Sequence, residues 1–237
     1  MNPQSDNYQG NLQYAVDLVM CIDATASMGP VLDSVKEGAL TFQRRLAEAM
    51  GAKSKSISQL RVRVVAFRDF GHRTGDALET TGFLTLPEQS ATLRSFLDGI
   101  KADGGGDIPE SGLEALAVAL GSDWETGLDR RRHVIVVFTD APAHPLGGPH
   151  SKITGYPAEI PRSMDELTEQ WGYQGSQQTL MEQSAKRLVL FAPAEEPWSS
   201  LRGTWSWDML LHFPSQAGEG LEEFELDQII DTIAQTL

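Results

Sequence analysis

Hydrophobic and polar positions alternate along this chain in blocks. Two blocks are apolar without a break: "LVMCI" (18–22), inside a run from Val16 to Ile22, and "VIVVF" (134–138). Runs this short and this β-branched predict strands buried on both faces. "LRVRVVAF" (60–67) alternates with period two at first, as a strand with one exposed end does. "TTGFLTL" predicts a short edge strand, and "RLVLFA" and "MLLHF" two more strands. Between them the spacing changes to three and four. Val31, Val35, Ala39, Phe42, Leu46 and Met50 share one helical face, which Pro30 opens well. Leu93, Phe96, Leu97 and Ile100 mark a second helix, and Leu113, Leu116, Ala117 and Leu120 a third. "MDELTEQW" and "QTLMEQSAK" predict further helices, and Leu226, Ile229, Ile230, Ile233 and Leu237 a closing one. Strands alternating with helices imply an α/β fold: a Rossmann-like, doubly wound, mostly parallel sheet flanked by helices.

The 237 residues, 41% hydrophobic and 22% charged, suit one large domain. We expect a flexible leader over 1–14 and a single domain over 15–237, since no linker or repeat divides the chain. The net charge of -14 argues against nucleic-acid and membrane partners, which need clustered Lys and Arg. Arg130, Arg131 and Arg132 read as a solvated strand entrance, and the acidic residues after Arg202 as a solvated helix face. The one cysteine, Cys21, excludes an internal disulfide and reads as a small core residue. With a polar start and no apolar span long enough to cross a bilayer, the expected setting is cytoplasmic.

Both of the most apolar strands end in aspartates, Asp23 and Asp140. "GGGDIPE" (104–110) supplies Asp107 just before a helix. In open α/β sheets such strand ends meet ligands. Carboxylates brought together there repel unless a positive charge neutralises them. Thr25 and Ser27 add neutral oxygens and no charge. The donor set suits a hard divalent cation, Mg²⁺ or Mn²⁺, with Ca²⁺ as an alternative.

This constellation resembles the metal-ion-dependent adhesion site of von Willebrand factor type A domains. Their pattern is D-x-S-x-S after the first strand, a Thr in a Gly-rich loop before a helix, and an Asp in a "TDG"-like step after the fourth strand. "DATAS" gives Asp23, Thr25 and Ser27, "FTDAP" gives Asp140, and "GGGD" puts Asp107 where the Thr would stand. "AFRDF", "GGGDIPE" and "TDAP" with His144 resemble the subgroup found with alpha-kinases and in related bacterial proteins. The resemblance implies Asp23, Thr25, Ser27, Asp107 and Asp140 as metal ligands. It also implies an intracellular adaptor, binding a protein partner in an assembly with a kinase, phosphatase or ATPase. Asp107 departs from the commoner pattern and adds a negative charge, which lessens the need for a partner's carboxylate.

Around this set, Arg68 and Asp69 are expected to support the metal loops. The Pro/Gly-rich segment 141–161 is long for a loop, and we assign partner choice to it. Met28, His144, Pro145 and Tyr156 are the expected partner-binding residues, with Met28 exposed beside the metal. Trp198, Trp205 and Trp207 are expected to pack on the sheet. Two rival readings are a metal-dependent hydrolase or phosphatase using Asp23, Asp107 and Asp140, and a structural subunit with a vestigial site. The first lacks a second Asp at position 25 and any nucleophile motif, so no catalytic residues are expected.

Overall fold

The computed structural model describes residues 12–71, 77–105, 108–126, 130–172, 180–205 and 210–215. The strands are β1 (Leu12–Asp23), β2 (Lys55–Phe67), β3 (Leu78–Thr80), β4 (Leu84–Leu86), β5 (Arg131–Phe138), β6 (Lys186–Pro193) and β7 (Leu210–Ser215). The helices are α1 (Gly29–Ala52), α2 (Ser90–Gly99), α3 (Gly112–Leu120), α4 (Met164–Trp171) and α5 (Trp198–Thr204). One sheet runs β3-β2-β1-β5-β6-β7, with β4 also on β2. β1, β2, β5, β6 and β7 pair in parallel, and β3 and β4 are antiparallel to β2. The expected mostly parallel α/β architecture is therefore what the chain forms.

Strict alternation along the apolar strands divides two cores. Val16, Leu18, Met20 and Ile22 of β1 join Val134, Val136 and Phe138 of β5 on the face covered by α1 and α2. Val19 and Cys21 join Ile135 and Val137 on the face covered by α3, α4 and α5. α1 buries Val35, Ala39, Phe42, Leu46 and Met50 as its spacing predicts, together with Leu32, which the spacing did not single out; the side chain of Val31 lies outside the described ones. Cys21 is buried as expected, and burial pushes its thiol up to about 12.

Several expectations are corrected. Leu12, Gln13 and Tyr14 pair with Lys55, Ser56 and Ile57, so 12–14 belong to the sheet and not to a leader. Residues 180–185 form turns, not a helix: the Glu182 carbonyl accepts from both Ala185 and Lys186 N–H, and β6 starts at once. A single turn fixes too many dihedrals for too few bonds to grow into a helix there. α5 was not foreseen, although Trp198, Leu201 and Trp205 recur at its spacing and are buried. Trp207 and the expected closing helix lie outside the described residues.

Arg131 also departs from a solvated entrance. It is buried, and its Nη1 lies 3.2 Å from Oδ1 of Asp17, a fully buried aspartate of β1. Arg61 grips the same carboxylate with two bonds, Nε to Oδ1 at 2.8 Å and Nη2 to Oδ2 at 2.7 Å, and the Glu125 amide donates a further one. Bidentate guanidinium pairing is the strongest way to hold a carboxylate out of water. Removing one partner of such a pair strands the other charges. Asp17→Ala should lower the unfolding free energy by about 3–5 kcal/mol in urea denaturation, against less than about 1 kcal/mol for a change in the exposed pair of Arg44 and Glu48.

Candidate metal centre

The strand order reverses between β1 and β5: β2 lies to one side of β1, and β5 with β6 to the other. A crevice beyond the strand ends opens at such a switch point. Asp23 is the last residue of β1 and Asp140 lies two residues past β5. Both are fully buried. Asp23 Oδ1 accepts from the Thr25 amide at 2.9 Å and the Thr25 hydroxyl at 2.6 Å, a local turn that aspartate makes readily. Asp23 Oδ2 accepts from the Thr139 hydroxyl at 2.6 Å. Ser27 Oγ donates to Asp140 Oδ1 at 3.0 Å and lies 3.3 Å from Thr25 Oγ1. Four of the five expected ligands thus come together, and Thr139 joins them. Thr139 had no role in the sequence reading, although it stands in the quoted "FTDAP".

The fifth, Asp107, falls with Gly106 outside the described residues. The Gly-rich loop before it is tied to the Asp23 turn by Ala26 N–H to the Gly104 carbonyl (3.0 Å) and Asp103 N–H to the Ala24 carbonyl (2.9 Å). Gly105, at φ +72°, needs its missing side chain: a Cβ there would lie 2.8 Å from Glu110 Oε1 and 3.1 Å from Thr25 Cβ. Glu110, a further buried carboxylate that the sequence reading passed over, joins this loop to the Asp140 side. Its amide donates to the Pro142 carbonyl and its carbonyl accepts from His144 N–H.

Burial pushes the Asp23 carboxyl from the ordinary 3.8 up to about 6. Hydrogen bonds from Thr139 and Thr25 pull it down, and the nearby Asp140 charge pushes it further up. Among the described residues the hydrogen-bond partners of Asp23 are two hydroxyls and one amide, none of them cationic. Among the described residues no group of three His, Cys, Asp or Glu side chains is placed to hold a metal ion. The set here is two carboxylates with three hydroxyls, all hard oxygen donors, and it fits a hard divalent cation.

The supporting residues behave in different ways. Arg68 is buried; it donates to Glu79 Oε1 at 2.6 Å and to the Lys101 carbonyl at 2.8 Å, bracing the turn after β2 against the strand that follows and the end of α2. Asp69 is buried, and its Oδ1 accepts from Gly71 N–H (2.9 Å) and Ser111 Oγ (3.3 Å) and lies 3.3 Å from His144 Nε2. Met28 corrects the expectation of exposure. It is fully buried in the core under α1, because the 3-10 turn Ala26–Met28 rolls it inward as the helix starts. Pro145 is exposed, while His144 and Tyr156 are part-buried and turned toward Asp69 and Glu114. Trp198 lies beneath the Asp140 loop and donates from Nε1 to the Ala141 carbonyl at 2.9 Å. A Cβ on Gly112 would meet its ring at 2.7 Å.

The profile of the von Willebrand factor A domain family matches residues 17–146, just over half of the chain. No curated protein matches the chain. Among solved structures, the pilus adhesin SpaC from Lactobacillus rhamnosus GG is 11% identical at a TM-score of 0.54, and the match covers 95% of this chain and 31% of that one. Its open conformation gives 11% and 0.53 over 95% and 30%. Proximal thread matrix protein 1 from the mussel byssus is 10% identical at a TM-score of 0.48, over 95% of this chain and 49% of that one. The chain thus spans about a third of the length of the adhesin it matches.

The electrostatics of Asp23 give a stability test. A carboxyl whose folded value lies above its unfolded value stabilises the fold below about pH 4, and that contribution is lost as pH rises to about 6. Asp23→Asn keeps the shape without the charge. In chelator at pH 7.5 it should be more stable than the parent by up to about 3 kcal/mol in urea unfolding, with the gap closing by pH 4. A variant less stable than the parent at pH 7.5 would show that Asp23 carries its charge comfortably without a cation.

Proposed function

This chain belongs to the von Willebrand factor A domain family, and from that premise we propose that it is a divalent-cation-binding protein-interaction module. One observation carries the metal reading. β1 buries two aspartates completely; Asp17 is neutralised by Arg61 and Arg131, while Asp23 has hydroxyls and Asp140 beside it. A buried carboxylate without a cationic side chain is costly unless an ion takes that role. Asp23, Thr25, Ser27, Asp107 and Asp140 would hold Mg²⁺ or Mn²⁺, with Ca²⁺ as an alternative. Bound there, the ion supplies positive charge that fixes the loops and faces a partner. Thr139 orients Asp23, and Arg68 and Asp69 brace the turn beside it.

The partner face is the metal edge together with segment 141–161, with the exposed Pro145 as one contact. We read the partner as a protein, within a kinase-, phosphatase- or ATPase-associated assembly. The single cysteine supports a reducing, cytoplasmic setting. No helix among the described residues is long and apolar enough to cross a membrane.

We read the protein as non-enzymatic. A phosphatase using Asp23 as nucleophile would need an acid–base carboxylate at position 25. Thr25 stands there instead, its hydroxyl bonded to Asp23 itself.

Titration calorimetry with Mn²⁺ and Mg²⁺ tests the metal. Asp23→Ala should abolish the binding heat while far-UV circular dichroism stays unchanged; equal affinity of parent and variant would sink the site. Mg²⁺ or Mn²⁺ should give background rates on phosphate and ester substrates, and turnover lost in Asp140→Ala would favour a hydrolase.

Asp107 sets the partner's chemistry. With three protein carboxylates a fourth from a partner leaves the site net negative by two, and like charges about 4 Å apart repel by roughly 4 kcal/mol at an effective dielectric near 20. Asp107→Thr should therefore weaken metal binding and improve uptake of acetate or an acidic peptide. Equal uptake by the parent would remove Asp107 from the coordination shell.

A further inference from the structure

Glu114 lies in the first turn of α3 with no exposure, among apolar neighbours. Its Oε1 accepts from Tyr156 Oη at 3.0 Å and lies 2.8 Å from His150 Nε2. His150, in the 3-10 turn Pro149–Lys152, is itself buried, and its ring centroid is 4.6 Å from that of His144. His144 in turn reaches Asp69, buried in the turn after β2. Two histidines of segment 141–161, their rings in contact at a tilt of 37°, therefore each meet a buried carboxylate of the scaffold. Among the described residues the titratable and charged groups facing His150 are Glu114 from α3, Asp69 from the turn after β2, and His144 and Tyr156 from its own segment, with Arg162 over the Tyr156 ring at 5.2 Å.

A buried carboxylate keeps its charge at low cost only when a cation neutralises it. At Asp17 that cation is arginine, which stays charged at every relevant pH. At Glu114 it is histidine, the side chain that gives up its proton near neutrality.

We propose that this cluster is a histidine latch: protonated His150 clamps segment 144–156 onto α3, and loss of the proton loosens it. The latch is tied to the metal edge, because His144 N–H donates to the Glu110 carbonyl and Asp140 lies four residues upstream. Its meaning as regulation rests on the reading of that edge as the partner face.

The direction follows from the pair. The hydrogen bond to Glu114 raises His150 above the ordinary 6.5, and burial opposes this. The clamp is then at full strength below that value and is lost as pH rises through the raised one.

Hydrogen exchange tests the latch on the whole chain in chelator. The amides of Ser151, Ile153 and Tyr156 bond within the segment and report on it. Their protection, corrected for intrinsic exchange, should fall severalfold between pH 6 and pH 8.5 while β5 amides hold. Glu114→Gln keeps an acceptor for Tyr156 without the charge, and His150→Gln removes the titrating group; both should give flat profiles. A flat parent profile, or a parent-like slope in either variant, overturns the latch. A parallel Mn²⁺ titration separates the two readings: an intact exchange step with no Mn²⁺ binding at either pH supports the latch and counts against the metal reading alone.

Discussion

The burial of the Asp23 carboxylate is the constraint around which the carboxyl edge of the sheet is organised. It is met locally by Thr25, whose amide and hydroxyl close a turn on Oδ1, and across the sheet by Thr139 on Oδ2. Those bonds are neutral and partial. They leave a carboxyl pushed up to about 6, facing a second buried aspartate. Such a site carries a stability cost in the free protein, and functional sites are where folds tolerate such costs. The scaffold opposes it with two closely packed apolar layers and with the Asp17 pair on the same strand.

Asp17 and Asp23 have the same parity on β1 and so point to the same side of the sheet. What differs is the chemistry of their neighbours. Arg61 and Arg131 come from the strands on either side of Asp17, which makes the carboxylate a cross-strand tie. The strand ends around Asp23 supply Thr25, Ser27 and Thr139 instead. A buried ion pair of the first kind specifies how three strands align. A cluster of the second kind surrounds its carboxylate, among the described residues, with neutral hydroxyls and a second aspartate.

Much of this was legible in the residue pattern. The uninterrupted apolar runs of β1 and β5, the six-residue stripe of α1 and the polar breaks between them specify a parallel sheet with helices on both faces. That each of the two most apolar strands ends in an aspartate is likewise read directly from the residues. Other features were hidden for physical reasons. Met28 follows a polar turn and reads as exposed, yet a 3-10 turn rotates it into the core. Arg131 sits in a run of three arginines, and nothing in the run tells which one meets a buried carboxylate 114 residues away. Thr139 reads as the end of a strand; its role depends on β1 and β5 being neighbours, a long-range fact. Glu114 has ordinary helix spacing, and its burial depends on a loop returning from residues 150 and 156.

The two sides of the candidate centre are held in different ways, and this bears on what can move. The Asp23 side belongs to β1 and α1, backed by backbone bonds to the Gly-rich loop. The Asp140 side is backed by Trp198, bonded to the Ala141 carbonyl and packed on Gly112, and by the backbone bridge to Glu110. Beyond His144 polar contacts join the apolar packing of Leu146, Ile160 and the Tyr156 ring: two histidine–carboxylate contacts and a tyrosine hydroxyl. Polar contacts of that kind change strength with proton or ion binding, whereas packed apolar contacts do not. The two aspartates therefore stand on the frame of the sheet, while segment 144–156 rests partly on a histidine–carboxylate contact that responds to proton binding.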